Sequence, residues 1–234
     1  MEKIYVFGGG ELSQKQTLPL DKLVVASLNK QKPKVLFVPT ASHDADGYVA
    51  SFKRVYESLG CVVDSLQLTK EKNTYSIMKA KILAVDLIYV GGGDTLFMMK
   101  TWKKLKADKL LIQAYHKGIV LSGLSAGGIC WFDYGYSDSL IIEGGYDYTY
   151  VEGLHLIKMD HNPHANEENR QGFLDSFEQR NKTAISMDNL TLAYFEDGDF
   201  KAGYKCVNDA KVMLVESNKK EIKCNELELE FVQE

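Results

Sequence analysis

The sequence Ser122-Gly123-Leu124-Ser125-Ala126-Gly127-Gly128 directly follows the apolar run Ile119-Val120-Leu121. The apolar run predicts a buried strand and the residues behind it predict a helix, so the chain must turn sharply between them. Glycine stands two positions before and two positions after Ser125, and glycine permits the close backbone approach that such a turn requires. The turn would hold Ser125 in a strained conformation, near the positive end of the next helix. The pattern Gly-x-Ser-x-Gly therefore predicts a nucleophilic serine at a strand–helix elbow.

Strand-like and helix-like segments alternate on the amino-terminal side of this elbow. The predicted strands are Ile4–Phe7, Val35–Val38, Cys61–Leu68 and Ile82–Val90, and the predicted helices are Leu18–Asn29, Asp46–Leu59, Thr95–Trp102 and Asp108–His116. Most of these strands are apolar along their length, as in strands that are covered on both faces. The order predicts an α/β fold, in which a mainly parallel sheet carries helices on both faces.

The last third of the chain has a different pattern. It predicts short strands at Leu154–Met159, Thr183–Met187, Leu190–Phe195, Phe200–Val207, Val212–Val215 and Leu227–Phe231, with one helix at Glu167–Phe177. In the final strand glutamates alternate with apolar residues, which is typical of a half-exposed strand. We expect mainly antiparallel C-terminal strands that decorate the main sheet. Since no linker or repeat divides the sequence, we predict a single domain over residues 1–234.

The composition excludes several classes of protein. With a net charge of −4, 45% hydrophobic and 26% charged residues, the chain shows no basic surface for nucleic acid or membrane. The segment Met1–Phe7 reaches glycine too early for a signal peptide, and no apolar run is long enough to span a membrane. The four cysteines are scattered, which favours reduced thiols. We expect a cytoplasmic protein that is a monomer or homodimer.

A serine nucleophile needs a base, and histidine is the usual one. The chain contains His43, His116, His155, His161 and His164. The last two follow the predicted strand at 154–159, and open parallel sheets bind ligands where their strands end. Pro163 fixes the backbone in front of His164. We predict that His164 is the base, with His161 as the alternative.

A carboxylate should hold the imidazole of such a pair in one tautomer. Two carboxylates are candidates for this role. Asp138 follows the elbow helix, and Glu196 stands at the end of a predicted strand. Either side chain has an ordinary alternative as a turn residue.

Backbone N–H groups are the expected stabilisers of the oxyanion that forms when a carbonyl is attacked. Ala126, the residue after the nucleophile, supplies one donor. The second is expected from Gly91-Gly92-Gly93-Asp94-Thr95, a segment behind a strand whose glycines let the main chain approach a substrate. A turn needed only for packing and a phosphate site are the alternatives for this segment. It completes neither a dinucleotide pattern nor a Lys-Ser/Thr phosphate loop.

Two other chemistries fit the sequence less well. The two histidines within residues 160–167 suggest metal ligands together with Asp160 and Glu167, but Pro163 interrupts any helix that would bring both imidazoles to one face. Cys130 lies among bulky aromatic residues, which favours a packed core thiol. We predict no metal and no cofactor.

Three motifs together resemble the peptidase E family. The glycine-rich segment Gly91–Thr95, the elbow Leu124-Ser125-Ala126-Gly127 and the tripeptide Asn162-Pro163-His164 occur in the order found in these aspartyl dipeptidases, which are related to cyanophycinases. The resemblance covers nearly the whole chain. It implies a flavodoxin-like fold similar to that of class I glutamine amidotransferases, with serine in place of their elbow cysteine.

The resemblance also implies catalytic roles for single residues. Ser125 matches the nucleophile and His164 matches the base. Asp138 falls near the family's triad aspartate, although its distance from the serine is shortened. Glu196 stands in a turn that resembles a glutamate-bearing turn of the family.

The resemblance further implies a binding site for the substrate. Gly93 and Ala126 match the oxyanion positions. Relatives in this family cleave dipeptides with an amino-terminal aspartate, and Arg170 resembles the arginine that would grip its carboxylate; a solvated helix charge is the alternative. Gly92 and Asp94 adjoin the same site, and the family's dipeptidase has asparagine where Asp94 stands.

The sequence therefore predicts a serine peptidase that hydrolyses small peptides, with amino-terminal Asp dipeptides favoured. Its triad would be Ser-His-Asp or Ser-His-Glu, and catalysis would pass through an acyl-enzyme. The alternatives are an esterase or amidase of other specificity, and a non-catalytic binding protein on the same scaffold.

Overall fold

The computed structural model describes residues 1–170, 172–218 and 221–233. Its strands are β1 (Lys3–Phe7), β2 (Lys34–Val38), β3 (Val62–Ser65), β4 (Leu87–Val90), β5 (Val120–Leu124), β6 (Phe132–Ser137), β7 (Thr149–Glu152), β8 (Ile157–Pro163), β9 (Thr183–Met187), β10 (Thr191–Glu196), β11 (Asp199–Lys205), β12 (Val212–Ser217), β13 (Ile222–Glu226) and β14 (Glu230–Phe231). Its helices are α1 (Leu18–Ala26), α2 (Asp46–Ser58), α3 (Tyr75–Ile82), α4 (Thr95–Leu105), α5 (Ala107–His116), α6 (Ala126–Ile129), α7 (Ser139–Ile142) and α8 (Phe173–Phe177). In these described ranges, no helix has both the length and the apolar character needed to cross a bilayer.

Within the described residues the strands form two sheets. The larger sheet has the order β14-β11-β10-β1-β5-β4-β2-β3. Its five strands β1 to β5 run parallel, and β10 and β11 extend it with antiparallel pairs. This arrangement confirms the predicted α/β fold with a mainly parallel sheet.

Alternate residues of the parallel strands enter two apolar layers. In β1, Tyr5 and Phe7 pack in a cluster with residues of α1 and α2, whereas Ile4 and Val6 pack in a cluster with residues of α4 and α5. All four side chains are buried, because helices cover both faces of the sheet. The continuous apolar character of these strands follows from this double cover.

The second sheet was not predicted as a separate layer. Its order is β13-β12-β9-β8-β6-β7, in which β6, β8 and β9 are parallel and the outer strands are antiparallel. The elbow helix α6 ends at Ile129, and the chain then enters β6. Phe132 of β6 and Ile185 of β9 belong to the same apolar cluster as Leu121 of β5, so the two sheets share a core.

The region between β3 and β4 differs from the prediction. A strand was expected from Ile82 onward, but Ile82 ends α3 and β4 begins at Leu87. The hydroxyl oxygen of Thr74 accepts a hydrogen bond from the N–H of Ile77, so a side-chain cap starts the helix here.

The region around the predicted base also differs. The strand expected at 154–159 runs instead from Ile157 to Pro163, so His161 lies within β8 and only His164 follows it. The helix expected at 167–177 divides into a single turn at Glu168–Arg170 and the short helix α8.

Strand register places the functional segments at one edge. Phe7 at the end of β1 pairs with Leu124 at the end of β5, and Val90 at the end of β4 pairs with Gly123. In the second sheet Pro163 pairs with Met187. The segments that follow these strands therefore meet where the strands end, as open parallel sheets favour for ligand sites.

Candidate active site

Ser125 lies between β5 and α6 with φ 57° and ψ −116°. Residues with a Cβ rarely adopt this conformation, so the turn stores strain at the serine. A Cβ on Gly123 would overlap the carbonyl oxygen of Gly127, and a Cβ on Gly127 would overlap the carbonyl oxygen of Val90. Only glycine fits at these two positions, which explains the spacing of the Gly-x-Ser-x-Gly pattern.

His164 directly follows β8 and lies against the serine. Its Nε2 is 2.6 Å from the Oγ of Ser125, although the two residues are 39 positions apart in sequence. The φ of His164 is 138°, so both members of the pair occupy strained backbone. A Cβ on Gly9 would overlap the His164 ring and the Oδ1 of Asn189. The segment that follows β1 thus packs directly behind the imidazole.

Asn189 occupies the far side of the imidazole. Its Oδ1 is 2.9 Å from the Nδ1 of His164. Because an amide oxygen only accepts, Nδ1 carries the proton and donates, and Nε2 offers its lone pair to the Ser125 hydroxyl. This is the tautomer that a general base needs.

Asn189 is a site residue that sequence reasoning missed. Its place shortly after the predicted strand Thr183–Met187 was visible in the sequence, but the parallel pairing of that strand with β8, which brings Asn189 to His164, was not. The sequence-based prediction named the carboxylates Asp138 and Glu196 instead.

The surroundings of His164 keep its imidazole neutral near pH 7. Burial of the ring lowers the pKa of His164 below its ordinary value of 6.5, and the positive charge of Arg170 lowers it further. The hydrogen bond to Asn189 and the carboxylates of Glu167 and Asp138 act in the opposite direction. A neutral imidazole is able to accept the serine proton.

Asp138 lies near this site but does not contact the base. Its backbone oxygen accepts hydrogen bonds from the N–H groups of Ile141 and Ile142 at the start of α7. No hydrogen bond joins its carboxylate to His164 within the described residues. Its charge acts only through space, by raising the pKa of His164 and of Arg170.

Glu196 lies at the opposite edge of the sheet. It pairs with Lys3 at the start of β1, whereas Phe7 at the end of β1 pairs with Leu124 beside the elbow. Its carboxylate accepts a hydrogen bond of 2.6 Å from the hydroxyl of Tyr194. Because β10 runs antiparallel to β1, the end of β10 points away from His164.

The glycine-rich segment behind β4 lies beside Ser125. Gly92 and Gly93 line the same cleft as the serine. The φ of Gly93 is 134°, and a Cβ there would overlap the carbonyl of Ala41. The N–H of Gly92 is 3.3 Å from the hydroxyl of Tyr48. Glycine at these positions therefore lets the main chain pass close to the nucleophile.

The other two predicted neighbours of the substrate are buried. Ala126 is the first residue of α6 and is 1% exposed. Asp94 is 4% exposed, and its Oδ1 accepts a hydrogen bond of 3.0 Å from the N–H of Phe97. Asp94 thus caps the amino terminus of α4.

The Ser125 cleft has a volume of about 500 Å³. Its lining residues are Gly10, Glu11, Leu12, Ser13, Gly47, Tyr48, Ser51, Gly92, Gly93, Leu124, Ser125 and His164. Among these described residues, the lining includes one acidic residue, Glu11, and no lysine or arginine. Glu11 Oε1 accepts hydrogen bonds from the N–H and the hydroxyl of Ser13 at 3.0 Å and 2.8 Å.

Arg170 lies outside this cleft. It is 4% exposed, its Nη1 donates a 2.7 Å hydrogen bond to the carbonyl oxygen of Tyr136, and its guanidinium lies 4.8 Å from the ring centre of Tyr148. It lines a separate cavity of about 430 Å³ together with Asn162 and Phe173. Its charge reaches the site only through space, as its effect on the pKa of His164 shows.

The alternative base His161 belongs to the core. Its ring stacks on Phe132 with 4.7 Å between ring centres, and its Nδ1 lies 3.1 Å from the carbonyl oxygen of Ile185. Burial lowers the pKa of His161 to about 3. Cys130 is buried as well, and burial raises the pKa of its thiol. In the part of the chain that the structure describes, no cluster of His, Cys, Asp or Glu is placed to hold a metal ion.

Comparison with known proteins identifies the family. The profile of peptidase family S51 matches residues 4–202, a range that includes Ser125, His164 and Asn189. This chain belongs to peptidase family S51.

Relatives of this S51 chain are also described as peptidases. It is 36% identical over 140 residues to the uncharacterized peptidase YgaJ of Bacillus subtilis (strain 168). The aligned region covers 59% of this chain and 60% of YgaJ. It is 36% identical over 103 residues to an uncharacterized peptidase of Listeria monocytogenes serovar 1/2a, which covers 43% of the chain and 49% of that protein. The matches thus span between about half and 60% of the relatives' length. The family and both relatives carry the description of a peptidase.

Solved structures share the fold of the S51 chain. A Listeria monocytogenes EGD-e protein described as a candidate peptidase E superimposes with a TM-score of 0.65 and 22% identity, covering 97% of this chain and all of that one. A peptidase from an acI-B1 Actinobacterium gives a TM-score of 0.65 with 18% identity, covering 96% and 94%. At these identities the likeness concerns the fold.

Proposed function

We propose that this S51 chain is a serine peptidase that hydrolyses small peptides through an acyl-enzyme. The observation that carries this proposal is the 2.6 Å contact between Ser125 Oγ and His164 Nε2 at a strained strand–helix elbow. A nucleophile and a base within hydrogen-bond reach, with the base oriented by a third group, are what this chemistry requires.

In the proposed reaction His164 Nε2 takes the hydroxyl proton as Ser125 Oγ bonds to the scissile carbonyl carbon. The N–H groups of Gly93 and Ala126 donate to the oxyanion of the tetrahedral intermediate. When the C–N bond breaks, His164 returns the proton to the departing amine. Water then attacks the acyl-enzyme with His164 as base again, which releases the acid and restores the serine.

Asn189 takes the orienting role in this scheme, where a carboxylate was predicted. Its Oδ1 holds the Nδ1 proton of His164 in place at 2.9 Å. Neither Asp138 nor Glu196 has a hydrogen bond to the imidazole among the described contacts. The proposed catalytic set is therefore Ser125, His164 and Asn189.

A fluorophosphonate probe tests the proposal without knowledge of the natural substrate. Attack by Ser125 Oγ forms a P–O bond and expels fluoride, and His164 takes the proton. We expect peptide mass spectrometry to place the adduct on Ser125 in the wild type and in Ser122→Ala, which removes a buried hydroxyl from the preceding strand β5. A non-catalytic binding protein would gain no adduct. Hydrolysis of p-nitrophenyl esters without hydrolysis of any peptide would instead favour an esterase.

Dipeptides with an amino-terminal aspartate are the first substrate class that we propose. Its support is the resemblance to peptidase E and the position of Arg170, whose charge acts on His164. Arg170 lines a separate cavity, so a contact between its guanidinium and the aspartate side chain requires Arg170 or the substrate to move.

Dipeptides with a neutral or basic first residue are a second candidate class, favoured by the cleft itself. Glu11 gives the lining a negative charge that no lysine or arginine among the described lining residues offsets. Such a carboxylate can receive the α-ammonium group of a free amino terminus, and it repels an aspartate side chain.

A substrate panel separates the two classes. If Arg170 binds the aspartate side chain, kcat/KM should be higher for Asp-Leu than for Ala-Leu. Arg170→Gln should then reduce kcat/KM for Asp-Leu by roughly 10- to 100-fold more than for Ala-Leu, the value of a hydrogen bond to a charged group. If Glu11 binds the ammonium, Ala-Leu and Lys-Leu should exceed Asp-Leu. In that case Glu11→Gln should lower kcat/KM for Ala-Leu and Lys-Leu more than for Asp-Leu, because relief of the repulsion offsets part of the loss for Asp-Leu. N-acetyl-Ala-Leu should resist hydrolysis. Equal rates for every peptide in all variants would contradict both classes.

A further inference from the structure

The carboxylate of Glu167 lies directly behind the amide of Asn189. Asn189 Nδ2 donates a 2.9 Å hydrogen bond to Glu167 Oε1, and the same oxygen is 3.5 Å from His164 Nδ1. Together with the contacts already described, this forms a continuous series from Ser125 through His164 and Asn189 to Glu167. The negative charge of Glu167 therefore acts on the imidazole in two ways, directly across 3.5 Å and through the amide of Asn189.

The orientation of the Asn189 amide is fixed by its two neighbours. The amide oxygen faces the N–H of His164, and the amide nitrogen faces the carboxylate of Glu167. The flipped amide would set N–H against N–H on one side and oxygen against oxygen on the other. Because hydrogen bonds in series polarise one another, the carboxylate strengthens the acceptor that holds His164.

We propose that Glu167 is a positioning residue that supplies the counter-charge of the His164 imidazolium, acting on it through the amide of Asn189. This inference rests on the proposed function. When His164 takes the Ser125 proton, an imidazolium forms beside a neutral amide that can accept a hydrogen bond but cannot neutralise the charge. Glu167 provides the missing counter-charge, and Asn189 holds it in line with the ring.

The other charges around His164 do not take part in this series. Arg170 lowers the pKa of His164 and Asp138 raises it, both through space. The core residue His161 has a pKa of about 3 and is therefore neutral at working pH. Of the charged residues that act on the ring, Glu167 is the one that the described contacts join to Asn189 by a hydrogen bond. Its side chain is 43% exposed, so added salt should weaken its effect.

Glu167→Gln removes this charge and keeps an oxygen that can accept from Asn189. The matched control is Glu168→Gln, which removes the same charge from the exposed next residue. We expect Glu167→Gln to lower the pKa of His164 in an NMR titration of its ring protons, with the signal assigned from His164→Gln. We also expect the labelling rate of Ser125 by a fluorophosphonate at pH 8 to fall roughly five- to tenfold, as for a partly screened ion pair. Glu168→Gln should change neither.

A rescue variant excludes a merely structural role for Glu167. In Glu167→Gln combined with Asn189→Asp, a carboxylate contacts His164 Nδ1 directly, so the pKa of His164 should rise above the wild-type value and labelling should recover. If Glu167 only braces its loop, this second change would restore nothing.

The two measurements separate the inference from the proposed function. Equal His164 titrations in Glu167→Gln and Glu168→Gln, with Ser125 still labelled, would overturn the role of Glu167 and leave the peptidase intact. Failure of the wild type to label at Ser125 would overturn the proposed function, and the positioning role would fall with it.

Discussion

Ser125→Ala, His164→Gln and the double variant should each lose roughly four to six orders of magnitude in kcat/KM, with the double variant no worse than the poorer single one. The reason is the 2.6 Å contact between Oγ and Nε2, which makes the two side chains one unit. Without the base the hydroxyl keeps its proton, and without the hydroxyl the base has nothing to activate. The measurement is steady-state hydrolysis of the best dipeptide from the panel.

Controls for this prediction come from the same chain. His155→Gln replaces a surface histidine that contacts Asp133 and Glu152, and it should retain wild-type kinetics. Ser122→Ala should do the same. Additive losses, in which the double variant multiplies the two single effects, would show that Ser125 and His164 act independently and would contradict the proposed mechanism.

The elbow could be predicted from sequence because its determinants are local. Gly123, Ser125 and Gly127 lie within one turn, and the overlaps that demand glycine come from Gly127 itself and from the adjacent β4. The preference for His164 over His161 came from Pro163 and from the expected end of a strand. The structure places His161 in the core and His164 against the serine.

The group that orients His164 could not be predicted, because it depends on strand direction and pairing. Glu196 was predicted because it ends a strand. That strand, β10, runs antiparallel to β1, so its end lies at the edge of the sheet opposite to Ser125. Asn189 reaches the imidazole because β8 and β9 are parallel and in register. A pattern of apolar residues reveals a strand, but it does not reveal which neighbour the strand pairs with.

The helix α3 and the strand β6 were not predicted for a related physical reason. In α3 the apolar side chains of Tyr75 and Ile77 are 48% and 43% exposed, so the hydrophobic pattern does not follow the buried face. In β6 the sequence Phe132-Asp133-Tyr134-Gly135-Tyr136-Ser137 contains too few aliphatic residues to indicate a buried strand. Tertiary packing decides both segments.

Gly127→Ala should lower the free energy of unfolding by about 3 to 5 kcal/mol, the range of the most severe single substitutions. A Cβ at this position would overlap the carbonyl of Val90 at the end of β4. Displacing backbone in a closely packed, buried sheet has a large free-energy cost. The N–H groups of Gly128 and Ile129 donate to the carbonyl oxygen of Ser125, so displacing Gly127 also displaces the serine. Residual folded protein should therefore lose activity as well as stability.

Urea unfolding measures this effect, and Gly47→Ala is the matched control. Gly47 lies in the first turn of α2, where a Cβ would meet no atom within 4 Å. Alanine there should stay within about 1 kcal/mol of the wild type, on the stabilising side, because it restricts the unfolded chain. If both variants unfold at the same urea concentration, the contact of the elbow with β4 does not constrain Ser125. The strained serine would then owe its geometry to His164 rather than to the close packing of the turn.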